Sequence, residues 1–144
     1  MQARPHHREQ LADLADLVLA VSRVLKTRTM ADPSVLDLSA TEVTVLRHID
    51  HHPDTSPSAV AAGTGLQRSN LSRALRDLEA KGLVQRSPDP ADSRQSLLRS
   101  TELAAENLAR IRDLWATILA GALEEDRDVA AAVRLLGEVE RNLY

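Results

Sequence analysis

The chain has 144 residues, 43% of them hydrophobic, which is typical of a globular protein large enough to bury a core. It contains no cysteine, which excludes disulfides, thiolate metal sites and thiol redox sensing. The net charge is −3, but residues 56–99 hold seven basic and four acidic side chains, so that segment is at +3 and the rest at −6. A segment of this charge suits a nucleic-acid phosphate backbone.

The scarcity of aromatic residues and the lack of long apolar stretches narrow the kinds of partner that the protein can have. The chain has one Trp, one Tyr and no Phe, so it offers almost no surface for stacking unpaired bases, and any nucleic acid is expected to be duplex. The polar residues 1–10, which include Pro5, do not form the apolar stretch of a signal peptide, and no run reaches the length of a membrane span. We therefore expect a cytoplasmic protein without a membrane partner.

The first half of the chain predicts three helices. Apolar residues at spacings of three and four predict a helix over residues 9–27, and a loop follows over 28–38. Ser39 and Glu42 form a capping box that starts a second helix, which runs through Val43, Leu46 and Ile49 to about His51. Ser56 and Pro57 start a short third helix, over about 57–63, which the glycines at 63 and 65 end.

The second half predicts a fourth helix, a hairpin and two long helices. Leu71, Ala74, Leu75 and Leu78 form the apolar face of a helix over about 67–81, which Gly82 ends. Strands are predicted at 83–87 and 95–99, around a turn at 88–92, and helices at about 101–124 and 127–142. The order predicts a mainly α fold with a small β-hairpin wing, a winged helix-turn-helix.

The polar face of the fourth helix predicts a contact with DNA. Ser69, Ser72, Arg73 and Arg76 lie at i, i+3, i+4 and i+7, with Arg68 and Asn70 beside them. Short polar side chains in the first turn, followed by arginines, suit insertion into a major groove, where arginine binds guanine in bidentate fashion. The alternative is an ordinary solvated helix face; the neighbouring helices and hairpin favour the DNA interpretation.

The hairpin tip carries a second arginine-based motif. Asp92, Ser93 and Arg94 form an acidic-polar-basic tripeptide on the predicted turn. Arginine on a protruding turn suits a narrow minor groove, and we expect Asp92 to orient the Arg94 guanidinium by a charge-assisted hydrogen bond. The alternative is an exposed ion pair of little energetic value.

These motifs together resemble the MarR family of winged-helix regulators. The resemblance is carried by VA at 60–61, GLQRSNLSR at 65–73, LEAKGLVQR at 78–86, DSR at 92–94 and TE at 101–102. It is strong over residues 39–102. Thr64, Gln67, Ser100 and Ala104 depart from the family pattern, and Gln67 is expected to be a weak helix cap.

The resemblance implies a set of DNA contacts and a mode of action. It places major-groove contacts at 67–76, a minor-groove contact at Arg94, and Ser56 and Arg86 near phosphates. The predicted DNA-binding residues are Ser56, Gln67, Arg68, Ser69, Asn70, Ser72, Arg73, Arg76, Arg86, Asp92 and Arg94. It further implies a homodimer on a pseudo-palindromic operator that represses a nearby gene.

The chain is expected to divide into three parts. Residues 1–38 form an N-terminal dimerisation helix and loop, 39–100 the DNA-binding lobe, and 101–144 the C-terminal dimerisation helices. Apolar faces on the terminal helices would be exposed in a monomer, which also favours a dimer. These faces include Ile111, Leu114, Trp115, Ile118, Leu119 and Ala122 on the fifth helix and Val129, Val133, Leu136 and Leu143 on the sixth.

The family also implies a small amphipathic or phenolic effector between the dimerisation and DNA-binding parts. The residues predicted by position are Val18, Val21, Arg47, His48, Ile111 and Trp115, although each could equally be ordinary core or surface. His48, His51 and His52 have the spacing of a metal site, but neither cysteines nor fifth-helix histidines accompany them. We expect no metal and no cofactor.

Two other functions compete with DNA binding as interpretations of the sequence. An enzyme is disfavoured because the chain has neither a phosphate-binding glycine loop nor a nucleophile elbow, and its carboxylates are scattered. A winged-helix protein-interaction module or antirepressor is the stronger rival, since a fold does not fix a function. The retained Arg68, Arg73, Arg76 and Arg94 favour DNA, because a protein-binding face would more often be apolar.

Overall fold

The computed structural model describes residues 5–125 and 127–143. Part of the polar N-terminal stretch, residues 1–4, lies outside these ranges, as does Tyr144. The described elements, in chain order, are α1 (Pro5–Ala31), α2 (Ala40–His51), α3 (Pro57–Thr64), α4 (Arg68–Ala80), β1 (Val84–Pro88), β2 (Ser96–Ser100), α5 (Glu102–Ala122) and α6 (Val129–Leu143). The predicted fold class, a mainly α winged helix-turn-helix, is confirmed.

α1 is longer than its apolar periodicity predicts, at Pro5–Ala31 rather than 9–27. The extra C-terminal turn is stabilised by the Thr29 hydroxyl, which donates to the Leu25 carbonyl at 2.7 Å. The helix ends at Ala31 because Pro33 disfavours helical backbone at the residue before it. The additional turn matters because Thr29 and Met30 lie beside the cavity described below.

α2 begins at the predicted capping box. The Glu42 amide donates to Ser39 Oγ at 3.1 Å, and the Ser39 amide donates to Glu42 Oε1 at 3.4 Å. Val45 and Ile49 are fully buried, whereas Val43 is 46% exposed. α2 turns its Val45 side to the core and its Val43 side to a cavity.

Local signals set the bounds of α3 and α4. Ser56 Oγ accepts from the Ala59 amide at 3.1 Å, and α3 ends where Gly65 adopts a φ of 69°. Leu71, Ala74, Leu75 and Leu78 are all buried on one side of α4, as predicted. Gly82, at a φ of 74°, turns the chain from α4 into the hairpin.

The hairpin is antiparallel, and each strand begins one residue later than predicted. Val84 pairs with Ser100 and Pro88 with Ser96. Leu83 is not part of β1, because its amide donates to the Leu78 carbonyl and its side chain is fully buried behind α4. The fully buried Leu98 fixes β2 to the core.

β2 also has a partner on its second edge. The Leu98 amide donates to the Thr55 carbonyl at 2.8 Å, and the Asp54 amide donates to the Leu98 carbonyl at 3.1 Å. The segment between α2 and α3 thus pairs with β2 opposite to β1. The wing is attached to the helical lobe by backbone as well as by packing.

The core lies among α2, α3, α4 and the hairpin, while α1 packs against α5. No residue of α6, from Val129 to Leu143, is buried within the described part of the chain. None of the described helices has the length and apolarity needed to span a bilayer.

Candidate nucleic-acid interface

The polar face of α4 is open to solvent. Ser69, Ser72, Arg73 and Arg76 are all exposed, opposite the buried Leu71 and its neighbours. Arg68 and Asn70, in the first turn, are exposed as well. The structure therefore places every predicted side chain of this helix where a groove could reach it.

Three of the seven cations in residues 56–99 are neutralised by carboxylates. Lys81 Nζ lies 2.6 Å from Glu42 Oε2, and Arg86 Nε donates to Glu79 Oε1 at 2.9 Å. Arg99 Nε donates to Asp54 Oδ1 at 2.5 Å. These three cations hold elements of the lobe together, which reduces the charge they present to a ligand.

The other four cations have no carboxylate within 4.0 Å in residues 5–125 and 127–143. They are Arg68, Arg73, Arg76 and Arg94, and all are exposed. Exposed, unpaired guanidinium groups favour phosphate or base contacts because no internal ion pair has to be broken first. The uncompensated positive charge of the lobe thus lies on α4 and the wing tip.

Lys81 has a structural role that its position in the sequence did not reveal. Burial opposes ionisation of Glu42, but hydrogen bonds from Lys81 and Ser39 outweigh it, so the Glu42 pKa lies below its usual value. Lys81 also donates to the Asp37 carbonyl at 2.9 Å. This lysine joins the end of α4 to the start of α2 and fixes the direction in which α4 projects.

The N-terminus of α4 lacks a side-chain cap. Gln67 occupies the N-cap position with a φ of −64° and a ψ of 145°, and its side chain makes no capping hydrogen bond. The weak cap expected from the sequence is confirmed. The first-turn amides of α4 have no intrahelical acceptor and form the positive end of the helix dipole, an arrangement that suits an anion.

The wing tip differs from the prediction in one contact. Asp92 Oδ1 accepts from the backbone amide of Arg94 at 3.0 Å, so the expected bond to the Arg94 guanidinium is wrong. A short Asp side chain reaches the amide two residues on more easily than a long, mobile guanidinium. Asp92 shapes the turn, and the Arg94 side chain stays exposed.

Ser56 and Arg86, the two residues implied to lie near phosphates, both have internal partners. Ser56 caps α3, although its hydroxyl hydrogen remains available to an acceptor. Arg86 is paired with Glu79 on α4. A phosphate contact by Arg86 therefore has to compete with Glu79.

A cavity of about 610 Å³ lies between α1, α2, α5 and the loop before α2. Its walls are mainly apolar, with several charged groups at the rim. The lining includes Ser22, Lys26, Thr29, Met30, Leu36, Asp37, Leu38, Val43, Leu46, Arg47, Asp50, His51, Ser100, Asn107, Leu108, Ile111, Arg112 and Trp115. The loop is fixed by the buried Asn107, whose Oδ1 accepts from the Leu36 amide at 2.8 Å.

Half of the predicted effector residues lie in this lining. Arg47, Ile111 and Trp115 contribute to it, but Val18, Val21 and His48 do not. The α1 contribution begins one turn after Val18, and the exposed Val21 lies on another face of α1. Lys26 and Arg112 also line the cavity but were not predicted from the sequence. The sequence offers only one indication of their role, which is that each lies one or two helical turns from a predicted lining residue.

Two residues join the cavity walls to other helices. Trp115 Nε1 donates to Thr29 Oγ1 at 2.9 Å, which links α5 to the last turn of α1. Arg47 forms an ion pair with Glu140, which links α2 to α6. The cavity therefore borders both the DNA-binding lobe and the terminal helices.

His48 packs toward α3 and away from the cavity. Its ring stacks on that of His52, with centroids 4.4 Å apart, and lies directly over Gly63. Burial and the nearby His52 and His51 hold the His48 pKa below its usual value. Within the described residues, no group of three or more His, Asp or Glu side chains is arranged as a metal site.

Comparisons with known proteins find similarity to transcriptional regulators. A model of the MarR family matches residues 36–95. A relative from Thauera aromatica, named as a transcriptional regulatory protein for the hcr operon, is 31% identical over 97 residues, and the chain spans about half (52%) of its length. An HTH-type transcriptional regulator from Mycobacterium bovis is 28% identical over 137 residues, covering 91% of this chain and 93% of the relative.

Solved structures share the fold over nearly the whole chain. The transcriptional repressor CouR, solved on a 23-mer DNA duplex, superposes with a TM-score of 0.70 at 24% identity, covering 100% of this chain and 99% of its own. A protein from Pseudomonas aeruginosa described as a transcriptional regulator superposes with a TM-score of 0.75 at 26% identity, covering 98% and 97%.

Proposed function

We propose that the chain is a DNA-binding transcriptional regulator of the MarR type, because a model of that family matches residues 36–95, and that it acts as a homodimeric repressor of a pseudo-palindromic operator. The recognition helix is α4, which enters the major groove. The wing tip enters the adjacent minor groove through Arg94. A repressor solved on duplex DNA with the same fold supports this arrangement.

The observation that carries the proposal is the distribution of unpaired arginines. Arg68, Arg73, Arg76 and Arg94 are exposed and lack carboxylate partners among the described residues, whereas Lys81, Arg86 and Arg99 are neutralised. Within residues 56–99, the free cations lie on α4 and the wing. We infer that Arg73 and Arg76 contact bases and backbone in the major groove, and that Arg94 contacts the minor groove, where the potential is most negative.

The dimer is supported by apolar surface at both ends of the chain. Leu17 and Leu19 of α1 are 63% and 61% exposed, and Val133 and Leu143 of α6 are 66% and 75% exposed. An isolated chain would leave this surface in water. A two-fold dimer buries it and sets two recognition helices about 34–36 Å apart, one turn of duplex.

The test begins with selection of bound duplexes from a random pool. We expect an inverted repeat, which then serves as the operator in titrations at several salt concentrations. Arg94→Ala should weaken binding and lower the salt slope by about one charge equivalent. Arg73→Ala should abolish specific binding while the dimer persists. Arg127→Ala removes an exposed arginine outside the DNA-binding lobe and is the matched control.

Two results would contradict the proposal. One is a salt slope and affinity that Arg94→Ala leaves unchanged. The other is recovery of duplexes without a repeated half-site, which would remove the case for a symmetric dimer on DNA. Monomeric elution of Arg73→Ala would mean that this residue holds the dimer and not the operator.

We also propose that the cavity takes a small amphipathic or phenolic anion that releases the operator. Leu46, Leu108 and Ile111 supply apolar walls, and Lys26 and Arg112 supply positive charge. Trp115 is the only tryptophan and lies in the lining, so its fluorescence reports occupancy directly. A titration with benzoate-class anions should change that emission, and Arg112→Gln should weaken the response; an unchanged emission across the series would refute the site.

A further inference from the structure

The ion pair between Arg99 and Asp54 joins the wing to the helical lobe across 45 residues of sequence. Two nitrogens on one edge of the guanidinium are used: Nε donates to Asp54 Oδ1 at 2.5 Å, and a terminal nitrogen donates to Oδ2. A bidentate pair fixes direction as well as distance, because two parallel bonds resist rotation. Arg99 lies on β2, five residues after Arg94 at the tip.

Asp54 adopts a backbone conformation that side chains other than glycine rarely take. Its φ is 63°, and it is the only non-glycine residue of positive φ among those the structure describes. Asp and Asn adopt this conformation more readily than other non-glycine residues, but it still has a cost that the surrounding contacts have to offset. Here it directs the Asp54 carboxylate at Arg99 while the Asp54 amide donates to the Leu98 carbonyl.

Neighbouring bonds hold the same edge of β2. The Leu98 amide donates to the Thr55 carbonyl, and Ser100 Oγ donates to Asp50 Oδ1 at 2.8 Å. Three consecutive residues of β2 are thus tied to α2 or to the segment after it. Arg99 makes the only one of these contacts that joins two opposite charges.

We propose that Arg99 and Asp54 are positioning residues, a clamp that sets the angle of the wing and so places Arg94 in the minor groove. The proposal rests on the proposed function, because it assumes that Arg94 contacts DNA. Arg99 is one of the basic residues that make residues 56–99 positive, yet its charge serves the fold of the wing. The clamp contributes to operator affinity without adding a phosphate contact.

The deciding variant is Asp54→Asn, which removes the charge and keeps a residue type that tolerates positive φ. If Arg99 bound DNA directly, loss of a nearby carboxylate would leave operator binding unchanged or tighten it. The clamp predicts the opposite: affinity falls by up to about tenfold, and the salt slope falls with it, because the Arg94 contact is weakened. Arg99→Gln should weaken binding to a similar extent.

Asp77→Asn is the matched control, since Asp77 is an exposed carboxylate of α4 without an ion pair in the described part of the chain. It should leave operator affinity unchanged or raise it. Thermal unfolding of all three variants shows whether each one still folds. A variant that binds the operator weakly but unfolds at the usual temperature has lost the wing angle and not the fold. If Asp54→Asn fails to fold, Arg99→Gln carries the test alone, because its backbone conformation lies in an ordinary strand.

A double variant distinguishes the clamp from the function on which it rests. In an Arg94→Ala background, Asp54→Asn should cost no further affinity, because the clamp acts through Arg94. An equal loss in both backgrounds overturns the clamp. If Arg94→Ala itself has no effect, the proposed minor-groove contact fails; if it weakens binding and Asp54→Asn does not, only the clamp fails.

Discussion

At the scale of single residues, α2 and α3 come into contact where the His48 ring meets Gly63. The His48 ring lies so near that a Cβ added at Gly63 would be 2.2 Å from His48 Cε1. The ring is also stacked on His52, whose Nδ1 lies 2.9 Å from the His48 carbonyl oxygen. α2 and α3 thus pack with the His48 imidazole against Gly63. A larger residue at position 63 would have to displace the ring.

We therefore predict that Gly63→Ala lowers the free energy of unfolding by about 1–3 kcal/mol, the usual cost of overpacking. The sign of this change in unfolding free energy is informative. Alanine in a helix interior normally stabilises by about 0.5–1 kcal/mol relative to glycine, so a loss points to the contact with the ring. Chemical denaturation of the variant measures the change. Gly121→Ala in α5 is the control: nothing lies within 4 Å of the added Cβ, so it should stabilise.

A second variant checks the cause. His48→Ala combined with Gly63→Ala should lose less than the sum of the single changes, because the clash requires the ring. Simple additivity would show that Gly63 is needed for some reason other than His48. This contact could not be predicted from sequence, because it depends on the rotation of α2 about its axis, which also removed His48 from the cavity.

At the scale of elements, α4 combines a strongly packed face with an uncapped start. Leu71 and Leu75 anchor it, while Gln67 leaves its first amides without a side-chain acceptor. In a helix selected for stability alone, a hydroxyl or carboxylate would be expected at that position. An open N-terminus retains donors for an incoming phosphate, at a cost in stability.

We predict that Gln67→Ser and Gln67→Asp each raise the free energy of unfolding by about 0.5–2 kcal/mol, since both side chains cap the helix. Their effects on operator binding should differ. Serine leaves the helix end neutral and should change affinity little, whereas aspartate repels phosphate and should weaken binding markedly. Denaturation and operator titration of the pair measure the two effects; equal affinities would place the α4 N-terminus away from DNA.

The elements that sequence predicted well are those whose ends have local causes. Ser39, Ser56, Gly65 and Gly82 each fix a boundary through a cap or a positive φ, and all four act as expected. The errors arise where tertiary contacts decide. β1 starts one residue late because Leu83 is drawn into the core.

The predicted site shows the same division. The exposed face of α4 follows from helical periodicity, which the sequence displays directly. The ion pairs of Arg86 and Arg99 bring together residues from different elements, so no spacing rule identifies them. The prediction for Asp92 named the right residue but the wrong group, since the carboxylate binds the backbone amide of Arg94 and not its guanidinium.

At the scale of the whole molecule, the terminal helices lack a complete set of partners within the chain. α6 buries none of its described residues, and one of its few links to the lobe is the Arg47–Glu140 ion pair between exposed side chains. Surface ion pairs contribute little to stability. The apolar side of α6 is therefore expected to be held by a second copy.

We predict that Val133→Glu, at a position 66% exposed in the single chain, converts the dimer to a monomer. Burying a carboxylate in an apolar interface without a partner is strongly unfavourable. Light scattering coupled to size-exclusion chromatography measures the mass. Ala91→Glu, at an exposed wing position, adds the same charge and should leave the dimer intact. A dimeric Val133→Glu would place the interface elsewhere.

The separation of charge along the chain has a consequence for how this molecule meets its target. With +3 in residues 56–99 and −6 elsewhere, each subunit has an electric dipole whose positive pole carries Arg73 and Arg94. The negative potential of DNA orients this dipole before contact. Most encounters therefore bring α4 and the wing to the duplex first. Added salt should therefore slow capture of the duplex more than it speeds escape, and stopped-flow rates would record that imbalance.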